Sequence, residues 1–369
     1  MKDQRAVALA QILVHYSTNV KKGEVCVIQS TTTAEPLAQA VYEEVLKAGG
    51  LPVVQLSPEG ASAAFYELAT DEQLEWIPPP SAWAVEQADV RIAILGDANT
   101  RDLSQIDPKK QAKAQKARRE LMETSMRRSA SGEYRWALTL FPTHAYASEA
   151  GMSLSAYEDF YYGACLATDP EPLTAWQRQS DLVHRLVDWI GGKEEVHITA
   201  PGTDIKLGVS GRTWIPCVGD RNMPDGELFT GPVEDSVEGE ASFSFPAVYG
   251  GREVSGVRLR FEAGKVVDAS AERGEAFLHE MLDSDDGARR LGELGIGTNY
   301  GITTATKEIL LDEKIGGSVH MAIGMSYPET GGQNSSSVHW DMVCDLRSGG
   351  SITVDGEVLQ EDGRFVISA

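Results

Sequence analysis

Between Gly23 and about Pro142, short apolar runs alternate with longer stretches of helical periodicity, and that rhythm reads as a parallel sheet with crossover helices. Val25 to Ser30, Pro52 to Leu56, Val90 to Leu95 and Trp136 to Phe141 are the expected strands. A helix is expected over Thr33 to Ala48, opened by threonines and closed by Gly49 and Gly50. Leu9, Ile12, Leu13 and Tyr16 fall at helical spacing ahead of the first strand, and two further helices are expected over Ser153 to Leu166 and Leu173 to Ile190.

Beyond Gly191 and Gly192 the pattern changes. Val196 to Val209 carries two strand-like runs around Pro201-Gly202-Thr203-Asp204, a hairpin signal, and the later segments are strand-like and rich in glycine. A chain of 369 residues exceeds the ~100 to 200 residues of one domain. The expected division is an α/β domain over residues 1–192, an open, mostly parallel sheet with flanking helices, and a β-rich α+β domain over 193–369.

Lys and Arg number 33 against 55 Asp and Glu, so the net charge of -22 repels phosphate backbones and anionic lipid. The basic stretch from Lys109 to Arg128 reads as a solvated helix face, since no aromatic residues interleave to stack bases. No nucleic-acid and no membrane partner is expected, because no run approaches the ~18 apolar residues of a membrane span. Cys26, Cys165, Cys217 and Cys344 are scattered without a CxxC pair, and the N-terminus lacks a signal-peptide pattern, so the expected compartment is the cytoplasm.

Several catalytic signatures are missing: there is no GxxxxGK[ST], no GxSxG, and His279-Glu280 meets Asp283 where HExxH requires histidine. Ligand-type residues concentrate instead between Met223 and Asp341. In Ser318 to Tyr327, strand alternation puts His320, Ala322 and Gly324 on one face, and small neighbours leave space before the imidazole. In Val338 to Asp345, His339 and Asp341 share a face while Val338, Trp340, Met342 and Cys344 line the apolar one. An imidazole beside a carboxylate suits a divalent cation. Taken alone, a strand histidine such as His320 is more often a hydrogen-bonded core residue than a ligand, and Glu227 or Glu293 alone reads first as a surface carboxylate, while the His339-x-Asp341 pair reads evenly either way. The apolar and Gly-rich neighbours of both glutamates call for a cation or a donor beside them.

The segments NMPDGELFTGPVEDSVEG, ELGIGTNYGI, EKIGGSVHMAIGMSYPETGGQN and SSVHWDMVCDLR, with EAGMSLSAYEDFYYGACL in the first half, resemble the aminopeptidase T, or thermophilic metallopeptidase, family. The resemblance implies a dimeric, metal-dependent aminopeptidase acting on peptides with a free amino terminus. It implies two divalent ions, zinc, cobalt, manganese or magnesium, held by Glu227, Glu293, His320, His339 and Asp341, with water activated by the metals as nucleophile and Tyr327 as the active-site tyrosine. Glu234, Glu313 and Glu329 lie in the matched segments as candidates for the general base. The alternative is a ring-cleaving dioxygenase. Dihydroxypyridine dioxygenases look related to this family and hold one Fe(II), with histidine where this chain has Glu293.

Overall fold

The computed structural model describes residues 3–367. The chain forms two compact units, one running to Trp176 and including Gly219–Pro224, the other built from Gln177–Val218 and from Asp225 onward. In the first, strands Leu51–Ser57, Val25–Thr31, Val90–Leu95, Arg135–Leu140 and Asn222–Met223 lie side by side in that order, all parallel. The four strands expected from apolar runs are thus present to within a residue or so. The helix after the first strand begins later than expected, at Glu35, with Pro36 in its first turn, because Thr32–Ala34 form a 3-10 turn instead.

The basic stretch forms two helices, Pro108–Ala117 and Arg119–Ala130. Several of its cations are engaged within the unit. Lys110 donates to the carbonyls of Tyr66 and Glu67, Arg128 to those of Val85 and Ala88, and Lys113 pairs with Asp71 and Glu75. Among the described residues no helix is long and apolar enough to cross a membrane.

The second unit contains two larger sheets. Eight strands, among them the expected hairpin Glu195–Ala200 and Thr203–Gly208, form one antiparallel sheet. The other has five antiparallel strands in the order His339–Asp345, Ser318–Gly324, Leu291–Gly297, Glu227–Thr230 and Ile215–Cys217. One apolar face of this five-stranded sheet supplies Leu228, Leu294, Ile296, Val319, Met321, Ile323, Trp340, Met342 and Cys344 to a core shared with Val196, Ile198, Ile205 and Leu207 of the eight-stranded sheet. Burying so many large side chains at ~25 cal/mol per Å² of apolar surface makes that face rigid, and the residues alternating with it must project from the other.

Candidate metal centre

The opposite face of the five-stranded sheet collects all five metal-ligand candidates. Cross-strand pairs set the arrangement: Gly297 opposite Glu227, Gly295 opposite His320, Glu293 opposite Ala322, Ala322 opposite Asp341, and Gly324 opposite His339. Glu293 reaches this face through a bulge. Leu291 pairs with Ile323 on the core side, yet Glu293, two residues on, pairs with Ala322 on the site side, because Gly292 is an extra residue in its strand. A Cβ on Gly292 would lie 2.3 Å from the Met325 carbonyl oxygen. Gly295 is equally constrained, since a Cβ there would come within 1.9 Å of the His320 ring. The glycine therefore makes the recess in which the imidazole lies.

Both imidazoles are anchored alike. His320 Nδ1 is 3.0 Å from the Glu313 carbonyl oxygen and His339 Nδ1 is 2.9 Å from that of Met325. A carbonyl only accepts, so each Nδ1 carries the proton and donates it, and Nε2 is left facing carboxylates. His320 Nε2 lies 3.0 Å from Glu293 Oε1; His339 Nε2 lies 3.5 Å from Glu293 Oε2 and 3.6 Å from Asp341 Oδ2. Glu293 thus stands between the two rings, one oxygen toward each. Backbone carbonyls holding the far nitrogen are the usual support of metal-binding histidines.

Glu227 stands at the other end of the cluster. Its Oε2 is 3.7 Å from His320 Nδ1, a nitrogen already committed to a carbonyl, and its Oε1 is 3.6 Å from the ammonium of Lys314. Lys314, wholly buried, also contacts Glu313. Cys217 and Asp225 flank Glu227, their ligand-type atoms within 4.8 Å of one another. Two overlapping groups of the same compactness, Glu293 with His339 and Asp341, and Glu313 with His320 and Asp341, occupy the rest of the face.

Crowded, buried negative charge sets the electrostatics. Burial pushes the Glu227 carboxyl up to about 8 against the pull of Lys314, and burial with the nearby Glu293 charge pushes Asp341 up to about 6. For His320 burial works downward, but the hydrogen bond to Glu293 and the charges of Glu227 and Glu293 lift it to about 10. Glu227 Oε2, Glu293 Oε2 and Asp341 Oδ1 are buried and accept no hydrogen bond. Oxygens so placed are costly without a positive partner, and their hard carboxylate chemistry beside two Nε2 atoms fits a divalent cation.

Tyr327 follows the Ser318–Gly324 strand with extended backbone (φ -77°, ψ 122°), as expected before Pro328. Its ring packs edge-on against His339, centroids 5.0 Å apart, and against Phe229. Tyr327 is 36% exposed overall, but the desolvation of its hydroxyl and the carboxylates of Glu293 and Asp341 hold that hydroxyl protonated, with a pKa above the usual tyrosine range. The three candidate bases separate clearly. Glu234 binds Arg212 at 2.6 Å and accepts from the Gln333 amide, and Glu329 lies on an exposed 3-10 turn, whereas Glu313 is inside the cluster. Lys314, Cys217 and Asp225 escaped the sequence reading. The sequence offered no signal for Lys314, since it follows Asp312 and Glu313 in a run of three charged residues that reads as a solvated turn.

The profile of the thermophilic metalloprotease (M29) family matches residues 2–365. Aminopeptidase T of Thermus thermophilus is 27% identical, with 96% of this chain and 94% of that protein aligned; aminopeptidase 2 of Geobacillus stearothermophilus is 28% identical, with 94% of each aligned. The structure of wild-type AmpT from Thermus thermophilus superposes with a TM-score of 0.85 at 26% identity over 99% of both chains. A 2,5-dihydroxypyridine dioxygenase from Pseudomonas putida KT2440 shares the fold alone, at a TM-score of 0.60 and 13% identity over 98% of this chain and 97% of that one. A family match of that span takes in both units, and the chain therefore belongs to the thermophilic metalloprotease (M29) family.

Proposed function

We propose that this protein is a metal-dependent aminopeptidase whose centre holds two divalent ions through Glu227, Glu293, His320, His339 and Asp341. The observation that carries the reading is the placement of Glu293 between two Nε2 atoms whose rings are each fixed by a backbone carbonyl. Charge supports the count of two. Glu227, Glu293, Glu313 and Asp341, when ionised, meet the Lys314 ammonium, leaving three negative charges, more than one divalent cation balances. The imidazoles suit zinc and cobalt, and the carboxylates suit manganese and magnesium, so the mixed set has donors for each of these four.

Bound cations supply Lewis acidity, which makes water a nucleophile near neutral pH and polarises the peptide carbonyl. Around them Glu313 is placed to take up a proton, and the Tyr327 hydroxyl to donate to the oxygen that becomes negative in the transition state. Carboxylate oxygens that the cations do not occupy accept from the substrate's protonated amino terminus, which confines cleavage to the first residue. The chain works as a homodimer, a reading that rests on the family resemblance and predicts a dimer mass in light scattering. Four free thiols, Cys26, Cys165, Cys217 and Cys344, suit a reducing compartment such as the cytoplasm.

The deciding experiment compares one unblocked peptide with its N-acetylated form on metal-reconstituted enzyme. The free peptide should be shortened from its amino end and the acetylated one left intact. Equal cleavage of both would make the protein an endopeptidase.

A further inference from the structure

Lysine normally runs its stem along the surface and keeps its ammonium in water. Lys314 cannot. Its amide donates to the Leu311 carbonyl and its carbonyl accepts from the Asn299 amide, so the backbone is held on both sides, and the side chain is wholly buried. A buried ammonium is costly unless it is paired closely. Its partners are Glu313, in direct contact, and Glu227 Oε1 at 3.6 Å. These two acids belong to different edges of the cluster: Glu313 groups with His320 and Asp341, Glu227 with Cys217 and Asp225. Turning Oε1 of Glu227 toward the ammonium leaves Oε2, which accepts no hydrogen bond, on the side of His320.

We propose that Lys314 is a positioning residue that acts as a built-in monovalent cation of the centre, tying Glu227 and Glu313 together so that the remaining oxygen of Glu227 is presented to a divalent ion. This rests on the two-ion reading above, but the ion pair itself exists without any metal. A protein that needs several acids in one dry place gains from carrying one of the counter-charges in its own chain, because that charge cannot dissociate. It also leaves the Glu227 end with a cation before metal arrives.

The test is a double-substitution cycle on the full chain, Lys314→Met, Glu313→Gln and both together, read first as melting temperature of the metal-free protein. Methionine keeps the stem's bulk and removes the charge. Lys314→Met should lower Tm by roughly 10 °C, the scale of one broken buried pair, and adding Glu313→Gln should restore more than half of the loss. An unchanged Tm, or losses that simply add, would mean that the lysine fills space and would overturn the proposal. Should Lys314→Met fail to fold, the double variant must fold; if it also fails, the charge-pair account is wrong. The second readout is zinc affinity, by competition with a chromogenic chelator. Lys314→Met should weaken one ion about 10 to 100-fold and spare the other. Tighter binding of both ions would mark plain repulsion by the ammonium, and unchanged binding no role at all; either removes the positioning function. The metal count of the unsubstituted protein tests the two-ion reading separately: fewer than two ions sinks that reading, while a lost coupling with two ions bound sinks only the role of Lys314.

Discussion

At the Glu227 end of the cluster Lys314 and His320 have 0% and Glu227 7% side-chain exposure, whereas at the other end His339 and Asp341 keep 19% and 12%, and Glu313, which touches Lys314 and groups with Asp341, keeps 18%. The same sheet face thus has a closed half, where an ammonium from the chain stands among the acids, and a half with access to water, where Tyr327 leans on His339. Closure strengthens every charge interaction, which suits holding an ion; access suits exchanging water, substrate and product. Binding strength and turnover are therefore expected to depend on different ends, with Glu293 serving both.

The largest effect is expected where the ends meet. Glu293→Ala removes the carboxylate shared by both imidazoles and should lower kcat/KM by about 10³-fold or more, with at least one ion lost on reconstitution. Metal analysis beside kinetics checks this, and full occupancy with near-normal turnover would show that the two ends do not depend on a shared acid. A smaller change is expected from Tyr327→Phe, which touches only the accessible end. It should retain both ions and the fold while kcat falls roughly 100 to 1,000-fold and KM moves little. Loss of metal in that variant would instead join the tyrosine to the holding half.

The smallest effect concerns the loop that delivers His339. Asp285 accepts hydrogen bonds from the Ser337 amide and hydroxyl, the Ser336 hydroxyl and the Gly287 amide, and these donors hold its carboxyl down at about 2. A depressed acid contributes stability that is complete above its unfolded pKa, about 4, and is lost as pH falls through 2. Asp285→Asn should therefore melt slightly lower than the parent at pH 6, and the gap should shrink between pH 4 and 2. Tm measured across that range checks it, and a gap independent of pH would mean that the loop is not held by the ionised carboxylate.

Much of this was legible in the sequence because the signals are local. The four parallel strands show as apolar runs, and the alternation of His339 and Asp341 with Trp340, Met342 and Cys344 is written directly in residue order. Resemblance to a known family added Glu227 and Tyr327, which no spacing would have singled out. Glu313, Glu234 and Glu329 could not be ranked, since three loop acids look alike until their partners are known. Arg212 and the Gln333 amide take the second, an exposed turn carries the third, and the first falls in a compact group with His320 and Asp341.

By itself, then, the chain's order of residues determined the two kinds of sheet and which side chains of each strand share a face, because period and turn chemistry act over a few residues. Tertiary structure decided what faces what. The extra residue Gly292 moves Glu293 onto the face of His320, and the pairing of Gly295 with His320 opens the recess for its ring. The backbone bonds on either side of Lys314 leave its ammonium inside. Each of these depends on register between strands distant in sequence, and register is fixed only when the whole apolar face closes on its core.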